Sequence, residues 1–400
     1  MSELRPPLLV IAFQSTHQAN GGISSLLHLL SNLKEFTPLL VTQIQSDATT
    51  RWAEPGRRVE VWPIATPATE TRRMSKLERA MGILRSNIHA YRYISRTRVH
   101  VVHCNDLYAM IHYGIGARLA GAGIVHNIRD TLGVGGTKWS AARLVANEVI
   151  VLSEEMRLFV EAKTTLPRCV PGHWVAPIRA IYSVVDFTVM CALDAESRER
   201  MRDALGMRPG EFAVGIVGAI VPKKQQLELI LALAKYRNLL PQNVRFWFVG
   251  DFVPHTDQYA RSCQEAVAKH GLEDLVRFVG FSAHVARFYQ SLDCVLCASA
   301  HEGLARAMIE SLACGTGVIS FDVASAQEIL DGHACGLVIK QGDYEALLAT
   351  VAAQARSPED WQQVGRRAEV VARELFDAGN IVAKYERVYA GLMPSGPAPK

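Results

Sequence analysis

Short apolar runs alternate with helix-length amphipathic stretches along the whole chain, a pattern that predicts parallel strands joined by crossover helices. The first run, residues 8–13, follows Pro6 and Pro7 and precedes a polar stretch. It is too short to span a bilayer and has no small-residue cleavage site, so it reads as a first buried strand. Gly21 and Gly22 come next as a loop whose backbone is free to approach a ligand, with Ser24 as the cap of a leucine-rich helix. Residues 39–44 and 59–64 are strand-like, and residues 72–98 form a long basic helix. In it Leu77, Met81, Leu84, Ile88 and Tyr91 repeat at four and three, the single apolar stripe a surface helix turns to its core. Strands at 99–105 and 124–130 flank a helix at 108–120, and residues 148–160 read as a strand, a Ser153 cap and a helix. After a proline-punctuated segment the alternation resumes with strands at 212–217 and 244–251, strand-rich residues 275–299, and a last helix at 380–392.

The stretch CASAHEGLARAMIESLACGTG, residues 297–317, concentrates the candidate chemistry. It predicts a strand end, a loop at Gly303 and a helix over 305–312, with Glu302 at the helix entrance and Glu310 eight residues on. On a continuous helix that spacing puts the carboxylates about 12 Å apart along the axis, which suits the two ends of an extended ligand rather than one bond. The loop's N–H groups and the positive helix end favour a phosphate. By spacing alone the pair reads equally as a helix-entrance carboxylate and a solvated side chain.

HEGLARAMIE, followed by SLACGTGVIS and by Ala-Gln-Glu-Ile at 326–329, resembles the E-x7-E signature of glycosyltransferase family four, the retaining nucleotide-sugar transferases of GT-B fold. The resemblance implies an α/β chain of two Rossmann-like, doubly wound domains facing a cleft. The expected acceptor-side domain is residues 1–187 and the nucleotide-sugar donor domain 188–378. Residues 379–392 form a helix crossing back to the first domain, and 393–400 a disordered tail. It places Gly21 and Gly22 against the diphosphate and acceptor, Glu302 near the reacting sugar carbon and Glu310 on the ribose. Gly218, Lys223 and Lys224 occupy the family's phosphate-gripping loop, but Ala219 stands where an Arg belongs; Lys223, Arg306 or Arg129 could substitute. Arg129 departs from the His often found there and, always charged, binds phosphate or holds Asp130 rather than acting as a base. Gly303, Leu304 and Arg306 complete the loop at the helix start, Gly250 ends a buried strand, and Gly280 and Phe281 would offer main-chain groups and an apolar wall to the base. Phe281 as plain core is the competing reading. The hinge Asp186 is kept, with Ser183 and Val184 replacing Asn-Gly.

Composition narrows the classes further. Four hundred residues at 49% hydrophobic content suffice for two cores, and a net charge of +4 without like-charge blocks gives no nucleic-acid footprint. Cys294 and Cys297 point to opposite faces of a strand, so no metal or redox pair is expected, and reduced thiols imply a cytoplasmic protein. The absence of an Asp-x-Asp motif argues against an obligatory metal on the diphosphate. No cofactor is expected beyond the nucleotide diphosphate sugar as co-substrate. The acceptor class is a glycan or lipid-linked molecule of the cell envelope. A non-catalytic nucleotide-sugar binder and a nucleotide-sugar epimerase are the alternatives. Arg85, His89, Arg92 and Arg96 form a basic row beside the apolar stripe, read either as a solvated face or, with Arg72 and Arg73, as a peripheral contact with an anionic membrane.

Overall fold

The computed structural model describes residues 5–13, 21–62, 75–131, 134–163, 169–170, 173–250 and 258–394. Arg72, Arg73 and the tail beyond residue 394 lie outside the described residues. The chain forms two compact units, residues 1–184 with 378–400, and residues 185–377.

The first unit holds seven parallel strands: β1 (Pro7–Ile11), β2 (Thr37–Thr42), β3 (Arg58–Val61), β4 (Val101–Cys104), β5 (Gly123–Ile128), β6 (Glu148–Val151) and β7 (Ile178–Ala180). Their order is β3-β2-β1-β4-β5-β6-β7, with Leu8 opposite Val101 and Val10 opposite His103. A parallel sheet is covered on both faces, which is why Leu8 to Ile11 of β1 read as an unbroken apolar run. The helices that matter below are α1 (Gly21–Ser31), α2 (Lys76–Thr97) and α3 (Ile115–Leu119) in this unit, and α4 (Gln226–Tyr236) and α5 (Arg306–Ala313) in the second. The last helix, α6 (Ala378–Ala390), follows the second unit in sequence yet belongs to the first. It sends Ile381, Val382, Tyr385 and Tyr389 into a core shared with Leu8, Val10, Leu26 and Leu30. Its buried Glu386 accepts the main-chain N–H groups of Lys34 and Glu35 at 2.6 and 2.7 Å, tying it to the segment after α1.

Two local expectations are overturned here. α1 begins at Gly21, so Gly21 and Gly22 form its first turn and Ser24 is not its cap. The larger reversal is α2. Its stripe of Leu77, Met81, Leu84, Ile88 and Tyr91 is exposed, and its buried side chains are Ser86, Asn87, Ala90 and Ile94, with Gly82 among them. The reason is the neighbouring helical segment, which contains a wide π-turn at Met110–Gly114. Asn87 Nδ2 donates to the Ile111 carbonyl in that turn at 3.1 Å, and Asn87 Oδ1 accepts the Gly116 N–H at 2.8 Å. A Cβ on Gly116 would lie 1.9 Å from the Asn87 carbonyl oxygen, so the backbones meet at a distance only small side chains permit. Trp62 meets the same helix, edge-on to His89 and Tyr93. Close approach and polar satisfaction thus select the small, polar face, and the large side chains turn outward.

The second unit holds β8 (Phe212–Val217), β9 (Val244–Val249), β10 (Val276–Gly280), β11 (Cys294–Cys297), β12 (Gly317–Phe321) and β13 (Gly336–Ile339), ordered β10-β9-β8-β11-β12-β13. Phe212, Val214, Leu229, Leu233, Phe246 and Phe248 lie in its core between β8, β9 and α4. Among the described residues no helix is long and apolar enough to cross a membrane.

His103 and His126, on adjacent strands β4 and β5, are fully buried. His103 Nδ1 shares a hydrogen bond with the Tyr389 hydroxyl at 2.9 Å, whereas neither ring nitrogen of His126 has a partner among the described residues. Burial pushes both imidazoles down to about 3. Between that value and the ordinary one near 6.5, the unfolded chain takes up protons that the folded chain refuses, so stability falls as pH drops through this window. The slope is about 1.4 kcal/mol per pH unit for each histidine. Thermal melts of the full chain at pH 7.5, 6 and 5 should show the first unit losing stability progressively, and His126→Leu should flatten that dependence; an unchanged slope in His126→Leu would remove His126 from the account.

Candidate functional site

Strand order locates the site before any side chain is considered. In the second unit the chain runs outward from β8 to β9 and β10, then returns to place β11 on the other side of β8. Loops leaving the carboxyl ends of β8 and β11 therefore diverge, and such a switch point is where open α/β sheets leave a crevice for ligands. Those two loops carry Gly218 to Gln225 and Ser299 to Ala305. A main-chain hydrogen bond from the Ala300 N–H to the Lys223 carbonyl, 2.9 Å, joins them.

Two ion pairs lie on this framework. Lys224 Nζ donates to Glu302 Oε1 at 2.6 Å, with Lys223 Nζ 3.7 Å from Glu302 Oε2. Four residues after Glu302, at the start of α5, Arg306 binds Glu310 through its Nε at 2.9 Å and also through Nη2. Both carboxylates are 8% exposed, so neither is a solvated side chain. Glu302 lies in the loop rather than on the helix, which starts at Arg306, so a helical spacing between the two carboxylates does not apply. The N-cap position of α5 is Ala305, which has no side-chain oxygen to cap the helix, so the positive end of the helix favours negative charge.

Residues without an obvious sequence signal hold these groups in place. The Ser325 hydroxyl, buried in a residue with φ of 76°, donates to the Gly303 carbonyl at 2.8 Å and anchors the loop from behind. Tyr289 is buried beside Glu310 and hydrogen-bonds to it; burial first, then that carboxylate, pushes its hydroxyl well above the usual phenol range. Gln226 Nε2 donates to the Ala219 carbonyl at 2.8 Å and fixes the loop after β8. Cys297 is buried behind Lys224 and Glu302; burial pushes its thiol up to about 12, which keeps it unreactive. A single chain position cannot announce such roles, because each depends on what the fold brings opposite it.

The glycines expected to bind ligand occupy consecutive strand ends. Gly218, Gly250 and Gly280 close β8, β9 and β10, and the Gly250 N–H donates to the Gly280 carbonyl at 3.0 Å. A Cβ on Gly250 would lie 1.9 Å from the Gly218 carbonyl oxygen, so backbone packing alone demands glycine there. Phe281, just after Gly280, is 67% exposed and is not core. Leu304 is buried, so only its main chain is presented. Ala219, where the resemblance expects Arg, is exposed.

The remaining expected residues belong to the first unit, where the same rule marks the gap between β1 and β4. Asp106, just beyond β4, accepts the Phe13 N–H at 2.7 Å and so bridges that gap, and it also caps the helical turn after it through the Ala109 N–H at 2.8 Å. Burial raises its carboxyl, against these two N–H groups and the nearby Arg129, which lower it. Arg129, at the end of β5, donates from Nη2 to Ser183 Oγ at 3.3 Å.

Two doubly wound parallel sheets, each with its switch point and with a basic, carboxylate-paired loop cluster on the second, define the GT-B class. Residues 197–370, within the second unit, match the family described as glycosyl transferases group 1. Among curated relatives, the chain is 29% identical to the lipopolysaccharide core biosynthesis mannosyltransferase LpsB of Rhizobium meliloti over 38% of this chain and 44% of that protein. It is 27% identical to the N-acetyl-alpha-D-glucosaminyl L-malate synthase of Bacillus anthracis over 54% of each. The chain spans about half the length of the curated relatives it matches. Among solved structures, Anabaena HepE in complex with UDP and glucose superposes with a TM-score of 0.77 at 19% identity, covering 96% of this chain and 99% of that one.

Lys223 and Lys224 both approach Glu302, and Arg306 binds Glu310 at the start of α5, so this cluster sets cations beside a helix start whose N-cap is Ala305. Inorganic pyrophosphate should therefore bind the protein, and Lys224→Ala should weaken it by at least about tenfold as measured by calorimetry. Glu302→Gln should not weaken it, because that change releases Lys224 from its counterion. Equal pyrophosphate affinity in Lys224→Ala and the parent would remove Lys224 as the phosphate contact.

Proposed function

We propose that this protein is a retaining glycosyltransferase that moves a sugar from a nucleotide diphosphate sugar to a glycan or lipid-linked acceptor in cell-envelope polysaccharide or lipopolysaccharide synthesis, acting in the cytoplasm. The observation that carries this reading is the Lys224–Glu302 pair at the switch point of the second unit, beside the start of α5. Sugar transfer breaks the bond between the anomeric carbon and the diphosphate, so charge builds on the leaving phosphate while the sugar becomes oxocarbenium-like. Preorganised cations and N–H dipoles aimed at that phosphate lower the barrier most. Lys224, Lys223 and the α5 start are the groups of this chain suited to that task. Glu302, adjacent to Lys224, serves the sugar near its reacting carbon, and Glu310, held by Arg306 and Tyr289, takes the ribose hydroxyls. Each carboxylate already has a cation partner, which suits binding and charge balance better than covalent attack. Retention then follows from the acceptor hydroxyl entering on the face the diphosphate leaves. The nucleotide sugar is a co-substrate, and no resident cofactor has a part in these steps.

A nucleotide-sugar binder without turnover is the second reading, favoured by Ala219 in place of a phosphate-binding Arg. A panel of UDP-, GDP- and ADP-sugars tested by thermal shift should identify the donor, since a ligand at a hundred times its dissociation constant adds about 2.7 kcal/mol. With that donor, Glu302→Gln should lower kcat more than it raises KM, and Glu310→Gln should chiefly weaken donor binding. Ala219→Arg should be tolerated and tighten the donor. Donor binding without sugar transfer to any acceptor leaves the binder reading, an epimerised donor identifies an epimerase, and wild-type kinetics in both Glu variants removes the assignment of the carboxylates.

A further inference from the structure

Two of the four non-glycine residues with positive φ among the described residues border the candidate site. Ser325, at 76°, holds the Gly303 carbonyl. Gln225, at φ 53° and ψ 34°, stands next to Lys224 in a left-handed conformation that glycine adopts without strain. A strained side chain beside a functional group points to a use for that side chain.

The backbone gives Gln225 its leverage. Lys224 ends the tight turn Pro222–Lys224, closed by the Lys224 N–H on the Val221 carbonyl at 2.9 Å and the Gln225 N–H on the Pro222 carbonyl at 3.0 Å. α4 starts at the next residue, and the Gln225 carbonyl accepts the Leu229 N–H at 3.0 Å. Gln225 is therefore the joint between turn and helix, and its left-handed twist sets the angle from which Lys224 reaches Glu302.

The Gln225 side chain holds the joint in place. Its Oε1 accepts from the Tyr344 hydroxyl at 3.3 Å and from Gln341 Nε2 at 3.4 Å. The same Gln341 Nε2 donates to the Ser299 carbonyl at 3.2 Å, where the loop that carries Glu302 begins. Each contact is long, and what makes them a clasp is their convergence on one oxygen and the anchorage of Tyr344. Tyr344 opens the helix Tyr344–Arg356, and its ring lies edge-on to the buried Phe321 of β12 at 5.0 Å. Burial, and then Glu228, hold its hydroxyl above the usual phenol range, so it remains a donor. Both donors come from the segment after β13, which belongs to neither of the loops bearing Lys224 and Glu302.

We propose that Gln225, Gln341 and Tyr344 form a clasp that positions Lys224 for the phosphate of the donor. Gln225 is a positioning residue and acts through Lys224. The clasp sets the two loops of the switch point at one spacing, and releasing it lets the Pro222–Lys224 turn rotate about Gln225 and loosens Lys224 from Glu302. The assignment rests on the reading of Lys224 as the phosphate contact.

Gln225→Gly and Tyr344→Phe, each made in the full chain, test this. Glycine keeps the left-handed joint and removes the side chain, so the melting temperature should stay at or above the parent's. Phenylalanine removes one hydroxyl and leaves the backbone alone. In both variants the affinity for inorganic pyrophosphate, measured by calorimetry, should fall about three- to tenfold, the change expected from losing one or two hydrogen bonds. Acetylation of Lys224 by N-hydroxysuccinimidyl acetate, read by mass spectrometry against the exposed Lys269, should be at least about threefold faster than in the parent. A general loosening of the fold would not single out Lys224 in this way. Lys224 acetylation at the parental rate in both variants overturns the proposal. So does faster acetylation with parental pyrophosphate affinity, where Lys224→Ala binds pyrophosphate more weakly. Parental affinity in Lys224→Ala removes the phosphate reading instead, and the acetylation rates alone then decide whether Gln225 positions Lys224.

Discussion

Lys224 and Glu302 come from different loops, 78 positions apart, and their 2.6 Å contact is where the second unit's topology becomes chemistry. The loops diverge because β11 returns beside β8, and without a link across the gap the crevice would have no defined floor. The ion pair and the Ala300 to Lys223 main-chain bond supply that link. Everything around it serves to hold one partner or the other. Ser325 steadies the Gly303 loop, Gln226 steadies the loop at Ala219, and Gly250 lets adjacent strand ends approach to backbone contact.

A half-buried pair of this kind contributes little net stability, because desolvating both charges offsets most of their attraction. Its value lies in what happens when an anion arrives. Lys224 is held near the helix start with its charge already partly stripped of water, so exchanging or sharing its counterion requires less reorganisation than ordering a free lysine. Arg306 and Glu310 repeat the arrangement one helical turn apart, with Tyr289 behind them in the core. Two cations pre-positioned by two carboxylates form a site that is organised before any ligand binds.

The first unit obeys a different constraint. Its polar interior is built from His103, Asn127, Tyr385 and Tyr389, with Tyr385 and Tyr389 supplied by the chain's last helix. Because α6 comes from the far end of the chain, this core closes only after the second unit has been traversed. The same unit turns the large side chains of α2 outward, since a polar side chain that satisfies a π-turn carbonyl and a glycine that admits a neighbouring backbone specify the packed face more strictly than hydrophobicity does.

Alternating apolar runs were sufficient to read two parallel sheets and the order of their strands in the chain, because a strand buried on both faces must be apolar throughout. The loop at Gly303 and the carboxylates Glu302 and Glu310 stood out at a strand end, but spacing alone left the carboxylates open between ligand contacts and solvated side chains, and their roles, with those of Lys223 and Lys224, came from the resemblance to glycosyltransferase family four. Periodicity also identified the ridge of α2 but could not tell which side of it faces the protein. That depends on Asn87, Gly116 and Ile111, which lie far enough apart in sequence that no local pattern connects them. Where α5 begins, which carboxylate each cation meets, and that Ser325 and Tyr289 stand behind the site were likewise decided only by tertiary structure. Hydrophobic burial is a property of each residue and leaves its mark position by position, whereas a hydrogen bond or ion pair is a property of two residues and becomes visible only when the fold sets them within 3 Å.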